Sequence, residues 1–588
     1  MADTPDPTPA IREAAALHQQ GRHDQAELAY RNVLKEHPAE ARVWNMLGQL
    51  LAERGRPREC EAAIAKAIEL QPETFVFHYF HGLSLLRLNR MRDAAEAFAE
   101  SCRLNPEHIE SHRQRCLTLR RLGDADALRE ATEQMHASLP SDPDEALRIA
   151  AQYEGTPRDA EAGVLLRHAA RVSPDHPGVL TALGRRLLSV GEAATARTLL
   201  EKAVETAPET PGAAEALVLA SEASGDGGSA RWFAGEALQR DPGSPELLLA
   251  LGRLDRIDGD LASAQRTLEE LFRSERVTGK LLYAKIAYEL GRVYEAGGAF
   301  DPAFDAFTRA QQVLIQRTKY AKVAPQAMPS MLRFMHEACQ TPPEGWPETS
   351  GGTTPVFVVG FPGSGVSLAG KLLAQAEGAT LLPHSPLASL MNRATAITGA
   401  QHPRAALDAL TDEQAAELRG IYEADARDAH NARSIETIAD ETPLRWIDAS
   451  PMNGLRLALV RRLFPDAPVV IASRDPRDAC ITAFRSVTEP DWASVHTHEP
   501  ANTARFVGLY TTVLRKGLET LGLHTHTLRY EDLLKDPQTE LGKALAFAGL
   551  QADAAALATQ VTPRKLPLWH NYAHRMHQAV ELLTPMAG

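Results

Sequence analysis

Prolines recur at Pro38, Pro72, Pro106, Pro140, Pro174, Pro208 and Pro242, an interval of 34 residues held without a slip. A fixed period of this length constrains the chain severely. Each period must be one small supersecondary unit that buries its apolar face only against the next copy. Within the frame, Trp44, Leu47, Gly48, Ala62, Ile64 and Ala67 precede Pro72, and Gly82, Ala94 and Phe98 return before Pro106; Gly184 and Gly252 fall at the same phase. Small and apolar residues so spaced predict pairs of amphipathic helices in close contact. Roughly eight units cover residues 7 to 278. Leu281 to Gln316 reads as a further, looser pair, and its extra spacing after Arg273 predicts an insertion or a change in stacking. Helices are expected to run on to about Ala338.

This pattern resembles the tetratricopeptide repeat, which implies an N-terminal all-α solenoid with a curved groove for a protein or peptide. A passive spacer or dimerisation arm is the other reading of the same residues. Gln340 to Thr354 (QTPPEGWPETSGGTT) is rich in Pro, Gly, Ser and Thr and reads as a linker. The expected organisation is therefore repeats over residues 7–338, a linker over 339–354 and a second domain over 355–588.

The second domain opens with PVFVVGFPGSGVSLAGKLL, Pro355 to Leu373. Pro355 to Val359 suits a parallel strand covered on both faces, the glycines allow a tight turn close to an anion, and the segment from Ser367 reads as a helix whose N-terminal amides face the loop. Gly360 to Ser367 has the spacing of a nucleotide-triphosphate loop, but Val366 stands where that loop needs its lysine, which disfavours a kinase or ATPase. A merely structural glycine turn is the alternative.

The same segment resembles the 5′-phosphosulfate loop of sulfotransferases, G-x-P-[RK]-S-G-T-[TS], with Gly363 at the basic position and Val366 at the threonine. That family uses 3′-phosphoadenosine 5′-phosphosulfate (PAPS) as sulfonate donor. The resemblance makes Gly360, Pro362, Gly363, Ser364, Gly365, Val366 and Ser367 the expected donor-binding residues. Further on, PDAPVVIASRDPRDACITAFR resembles the family's 3′-phosphate segment, and by position Arg474 and Thr482 would hold that phosphate. A guanidinium at the carboxyl end of a strand is well placed to grip phosphate. The bland alternative is a surface pairing of Arg474 with Asp475 or Asp478. DASPMN (Asp448 to Asn453), with Ala449 at the family's lysine position, and YEDL (Tyr530 to Leu533) extend the likeness, the latter read as mostly architectural.

In the protein-tyrosine branch of the family, which this chain is taken to resemble, a glutamate beyond the first helix is the base. Counting from Gly365 puts His384 there, and imidazole titrates in the right range for the task. An exposed loop histidine without a role is the competing reading. With Gly363 and Ala449 in place of cations, the loop and helix amides with Ser364 and Ser367 are left to hold the phosphosulfate; Lys371, Arg445 and the Arg564-Lys565 pair are further sources of charge, each read first as a surface residue. The resemblance thus implies an α/β domain with a mostly parallel sheet, the sulfotransferase fold. It also implies transfer of sulfonate from PAPS to a hydroxyl acceptor, leaving 3′-phosphoadenosine 5′-phosphate, without a metal. Tyrosine, another side chain, a glycan and a small molecule all stay open as the acceptor, as does the oligomeric state. A degenerate scaffold that binds nucleotide or protein without turnover is the rival.

Composition agrees with a soluble two-part protein. The 588 residues are 44% hydrophobic, and a net charge of -13 argues against general nucleic-acid binding. No stretch suits a membrane span and MADTPDPTPA lacks the features of a signal sequence, so a cytoplasmic chain is expected. Cys60, Cys102, Cys116, Cys339 and Cys480 are scattered, which fits buried thiols rather than disulfides or zinc. His496 with His498, His524 with His526, and His570, His574 and His577 lack an acidic partner at metal-ligand spacing. His524 and His526 fall in a strand-like run, HTHTLRY, where alternation would place both on one face beside the ligand pocket.

Overall fold

The prolines of the 34-residue period end each helix pair, because proline has no N–H with which to continue a helix. At the first three of them the carbonyl is then taken by the side chain six residues on. Trp44 Nε1 donates to Pro38 O at 2.9 Å, His78 Nε2 to Pro72 O at 2.6 Å and His112 Nε2 to Pro106 O at 2.9 Å. In this computed structural model, which describes residues 8–88, 90–122, 124–153, 159–189, 192–316, 327–351, 354–382, 384–400, 402–431, 444–486, 496–562 and 567–586, eighteen helices between Thr8 and Leu314 follow one another as nine pairs.

Each glycine of the repeat lets its helix lie directly on the partner helix. A Cβ would meet Ile64 at 2.5 Å if built at Gly48, Phe98 at 2.6 Å at Gly82, Leu200 at 2.6 Å at Gly184 and Leu268 at 2.7 Å at Gly252. The last pair, Lys280–Ala296 and Phe300–Leu314, repeats this with Gly291 on Phe307 at 2.6 Å. It is the same unit. The five extra residues between Gly252 and Gly291 are taken up between Arg273, where one helix ends, and Lys280, where the next begins.

The chain divides into two compact units. The first comprises Met1–Pro174 with Ser389–Gln401 and Gly420–Asp428, so two pieces of the C-terminal half are built into the N-terminal repeats. There Arg121, at the end of helix Ile109–Leu122, is ion-paired with Asp425. The second comprises Asp175–Ala388, His402–Arg419 and Ala429–Gly588. It holds the last four helix pairs, a helix Ala327–Ala338 and a sheet.

The segment after Ala338 contains no helix or strand among its described residues, yet it is pinned throughout. Trp346 is buried, donates from Nε1 to Asp408 and lies under the Arg404 guanidinium; Pro347 O and Glu348 both take Arg461, and Ser350 bonds Asp466.

Five strands form the sheet: β1 Val356–Val359, β2 Ala379–Leu381, β3 Arg445–Asp448, β4 Val469–Ser473 and β5 Thr525–Arg529, in the order β2-β3-β1-β4-β5. Every pairing is parallel. Val356, Val358, Ile447, Val470 and Leu528 build a core with Leu372 and Leu373 of helix Val366–Leu373 and with Leu541 and Leu545 of helix Pro537–Ala548. The chain leaves β1 toward β2 and leaves β4 toward β5. The crevice where neighbouring connections diverge therefore lies between the carboxyl ends of β1 and β4, the place where open parallel sheets bind ligands.

Candidate functional site

Two loops meet at that crevice. The first runs from Gly360 to Gly365. Gly363 has φ +92° and packs so tightly that a Cβ there would stand 2.9 Å from Ala479 O, 3.2 Å from Ala483 N and 3.3 Å from Thr482 Cβ. A basic side chain at this position is therefore excluded by the backbone of the second loop's helix, Pro476–Phe484. Pro362 is half-buried, Ser364 is buried and Ser367 is exposed on the first helical turn. Val366 begins the helix with its side chain in the core, so what it offers a ligand is its main-chain N–H.

The second loop follows β4. Arg474 is buried and donates from a terminal nitrogen to Gly363 O at 3.1 Å, which ties the two loops together. Its guanidinium lies 4.4 Å over the Tyr530 ring and 3.7 Å from Asp478 Oδ2. Burial pushes Arg474 down and Asp478 up from their usual ranges, because a 3.7 Å contact without a hydrogen bond only partly offsets the desolvation of two charges. The surface pairing considered from sequence is thus a buried one, while Asp475 instead pairs with Arg477 at 2.6 Å and caps the helix.

Ser364 Oγ, Arg474 Nε and Thr482 Oγ1 are buried without a hydrogen-bond partner. Three such donors beside one loop are costly unless a ligand takes them, and their chemistry suits a phosphate or sulfonate oxygen. The sequence-derived pair Arg474 and Thr482 is therefore brought onto the loop that contains Gly363 and Ser364.

His384 is exposed in the loop after β2. Its neighbour Ser385 donates to Asp448 Oδ2 at 2.7 Å, and Asn453 Nδ2 donates to the other Asp448 oxygen at 2.8 Å, which fixes that loop at the carboxyl end of β3. Ala449 packs against Gly370, where a Cβ would lie 2.3 Å from its own. The buried Tyr510 hydroxyl lies 2.5 Å from Pro451 O and 3.0 Å from Gly360 O, its one hydrogen serving these two carbonyls, and so links the glycine loop to the DASPMN segment.

The cations weighed from sequence do not join these loops among the described residues. Lys371 is exposed in the last turn of its helix, and Arg445 starts β3, at the amino end of the strand, within reach of Gly549. Arg564 and Lys565 lie outside the described residues. Arg456 was missed. It donates to Asn453 Oδ1 at 3.3 Å and lies in the field of Asp448 and Tyr510, with burial pushing its guanidinium down. Tyr530 and Glu531 were also underrated: the ring supports Arg474, and Glu531 Oε1 accepts from Asp475 N at 2.8 Å. Nothing local in YEDL signals those contacts.

His524 and His526 do share a face, but both rings pack against Phe547, and their pairing with Val469 and Val470 places them toward the amino end of the sheet, away from the crevice. Among the described residues no group of three or more His, Cys, Asp or Glu is arranged to hold a metal. All five cysteines are free and buried, and Cys480 donates to Pro500 O.

Residues 355–554 match the model of the sulfotransferase family. The chain carries a sulfotransferase-family domain. Tetratricopeptide-repeat models match residues 17–80, 181–245 and 249–316, the last including the pair with the five-residue insertion. The architecture is an N-terminal helical repeat solenoid joined to a sulfotransferase domain built on a parallel sheet. Among solved structures, the repeats are similar to the crystal structure of MamA at 22% identity, covering 27% of this chain and 94% of that one, with a TM-score of 0.22. YrrB, described as a TPR protein with an unusual peptide-binding site, is 21% identical over 30% of this chain and 91% of its own, with a TM-score of 0.22. Yeast Tom70 is 12% identical over 57% and 88%, with a TM-score of 0.23. Comparison with curated proteins gave no match. No described helix is long and apolar enough to cross a membrane.

Proposed function

We propose that the sulfotransferase domain transfers a sulfonate group from PAPS to a hydroxyl acceptor on a protein or peptide held by the repeat groove. The observation that carries this reading is the convergence of Ser364 Oγ, Arg474 Nε and Thr482 Oγ1, buried and unbonded, at the crevice between β1 and β4. PAPS supplies the sulfonate and a phosphate leaving group. The glycine loop and the amides of helix Val366–Leu373 hold the 5′-phosphosulfate, while Arg474 and Thr482 take the 3′-phosphate. Arg456 contributes the positive field that Gly363 and Ala449 lack. His384 accepts the acceptor's hydroxyl proton as the acceptor oxygen bonds to sulfur and the bond from sulfur to the phosphate oxygen breaks. The buried reduced thiols accord with a reducing compartment such as the cytoplasm.

A second reading, a nucleotide-binding scaffold without turnover, draws on the backbone contacts that keep any side chain off Gly363. Titration calorimetry with 3′-phosphoadenosine 5′-phosphate tests the site, and absence of heat at millimolar ligand would sink the sulfotransferase reading. Transfer of labelled sulfate to lysate proteins separates enzyme from scaffold. His384→Ala is expected to abolish transfer while leaving nucleotide binding intact, and unchanged turnover would remove it as the base.

A further inference from the structure

The helix Pro476–Phe484 follows Arg474 directly and carries Thr482, and the phosphate loop leans on its Ala479, Thr482 and Ala483 through Gly363. Its carboxyl end is held by the last repeat. Four terminal carbonyls of any helix lack an internal partner. Here Gln311, buried on the repeat helix Phe300–Leu314, donates from Nε2 to Phe484 O at 2.5 Å and to Ser486 O at 2.8 Å. Because that amide nitrogen is committed to two carbonyls, Gln311 Oε1 must accept, and His498 Nδ1 lies 2.6 Å from it.

The next residue is anchored as well. Arg485 is ion-paired with Glu295 of repeat helix Lys280–Ala296, and Glu295 also accepts from the Tyr572 hydroxyl at 2.8 Å. Phe304 packs on Phe484 with 5.3 Å between ring centroids. Thr482 is two residues from this clamp, about 3 Å along the helix axis, so displacement of the capped end moves its buried, unbonded hydroxyl with it.

We infer that Gln311 and Glu295 are positioning residues for the 3′-phosphate site, so that the last repeat is a structural part of the nucleotide pocket and not only an acceptor-presenting arm. This rests on the proposed nucleotide site. The repeat acts through the helix: it fixes the carboxyl end, the helix carries Thr482, and Arg474 enters from the strand at the other end. A ligand with a 3′-phosphate reads that placement, whereas one without it does not.

The experiment compares adenosine 3′,5′-bisphosphate with adenosine 5′-phosphate by calorimetry on the full chain and its Gln311→Met and Glu295→Gln variants, with circular dichroism as a check of folding. The native chain should prefer the bisphosphate, and Gln311→Met should cut that preference by ~10-fold, the loss of about one well-made hydrogen bond, while leaving the 5′-phosphate affinity unchanged. Where Gln311→Met fails to fold, Glu295→Gln, which keeps shape and an acceptor for Arg485, decides in the same way. Native preference retained in the folded variants, or an equal fall for both nucleotides, overturns the positioning role alone. A native chain that binds neither nucleotide overturns both this role and the proposed function.

Discussion

Arg474 holds its guanidinium 4.4 Å above the ring of Tyr530, and the other side of the loop system rests on the same ring, since a Cβ at Gly365 would stand 3.1 Å from Tyr530 Cδ2. One aromatic side chain thus supports both Arg474 and the glycine loop. A cation over an aromatic face is worth about 0.5–2 kcal/mol depending on desolvation. Tyr530→Phe keeps the face and should bind 3′-phosphoadenosine 5′-phosphate as the native chain does. Tyr530→Leu should weaken it by roughly 2- to 30-fold, measured by calorimetry. Equal affinities for the leucine and phenylalanine variants would remove the ring from the site.

Restoring the family's basic residue at Gly363 should harm the protein. The position has φ +92°, where a side chain costs about 1–2 kcal/mol, and the new Cβ would press on Ala479 O at 2.9 Å. Gly363→Arg is therefore expected to lower the melting temperature and weaken nucleotide binding, despite the added charge. A variant that melts with the native chain and binds more tightly would show that the loop opens readily enough to accept the cation.

What the sequence disclosed was what is local. The proline period repeats every 34 residues, and the glycine loop and the Arg474 segment are each contiguous runs, so spacing alone exposes them. Arg445 illustrates how strand direction filters such readings: it begins β3, and in a parallel sheet that puts it at the edge away from the ligand crevice. Gln311 and Glu295 were not legible because their partners, Phe484 and Arg485, are 173 and 190 residues away in sequence. Tyr530 was visible as part of YEDL, but its place under Arg474 depends on how β4 and β5 pair, which no spacing rule supplies.

The thiols should be inert in the folded protein. Burial pushes Cys102 and Cys480 up to about 12 and Cys60 and Cys339 up to about 11, so the reactive thiolate is scarce at neutral pH. A thiol-reactive chromogen should label none of the five cysteines in native buffer and all five in denaturant. Rapid labelling of Cys480 in the native state would contradict its burial.

Mild acid should loosen the junction between the last repeat and helix Pro476–Phe484. Burial, and after it the neighbouring His496, hold His498 down at about 4, well below the usual imidazole range near 6.5. Between those two values the unfolded chain takes up a proton that the folded chain refuses. The unfolded state therefore binds more protons, and stability rises with pH across the window and is lost as pH falls through it, by at most about 1.4 kcal/mol per pH unit from this group. Protonation would also place a charge beside the buried Gln311 that caps Phe484. Urea unfolding should show the native chain less stable at pH 5 than at pH 7.5. His498→Gln, which keeps a donor for Gln311 Oε1 and cannot titrate, should flatten that dependence. A His498→Gln variant as acid-sensitive as the native chain would assign the loss to other groups, His496 first among them, since burial depresses it as well.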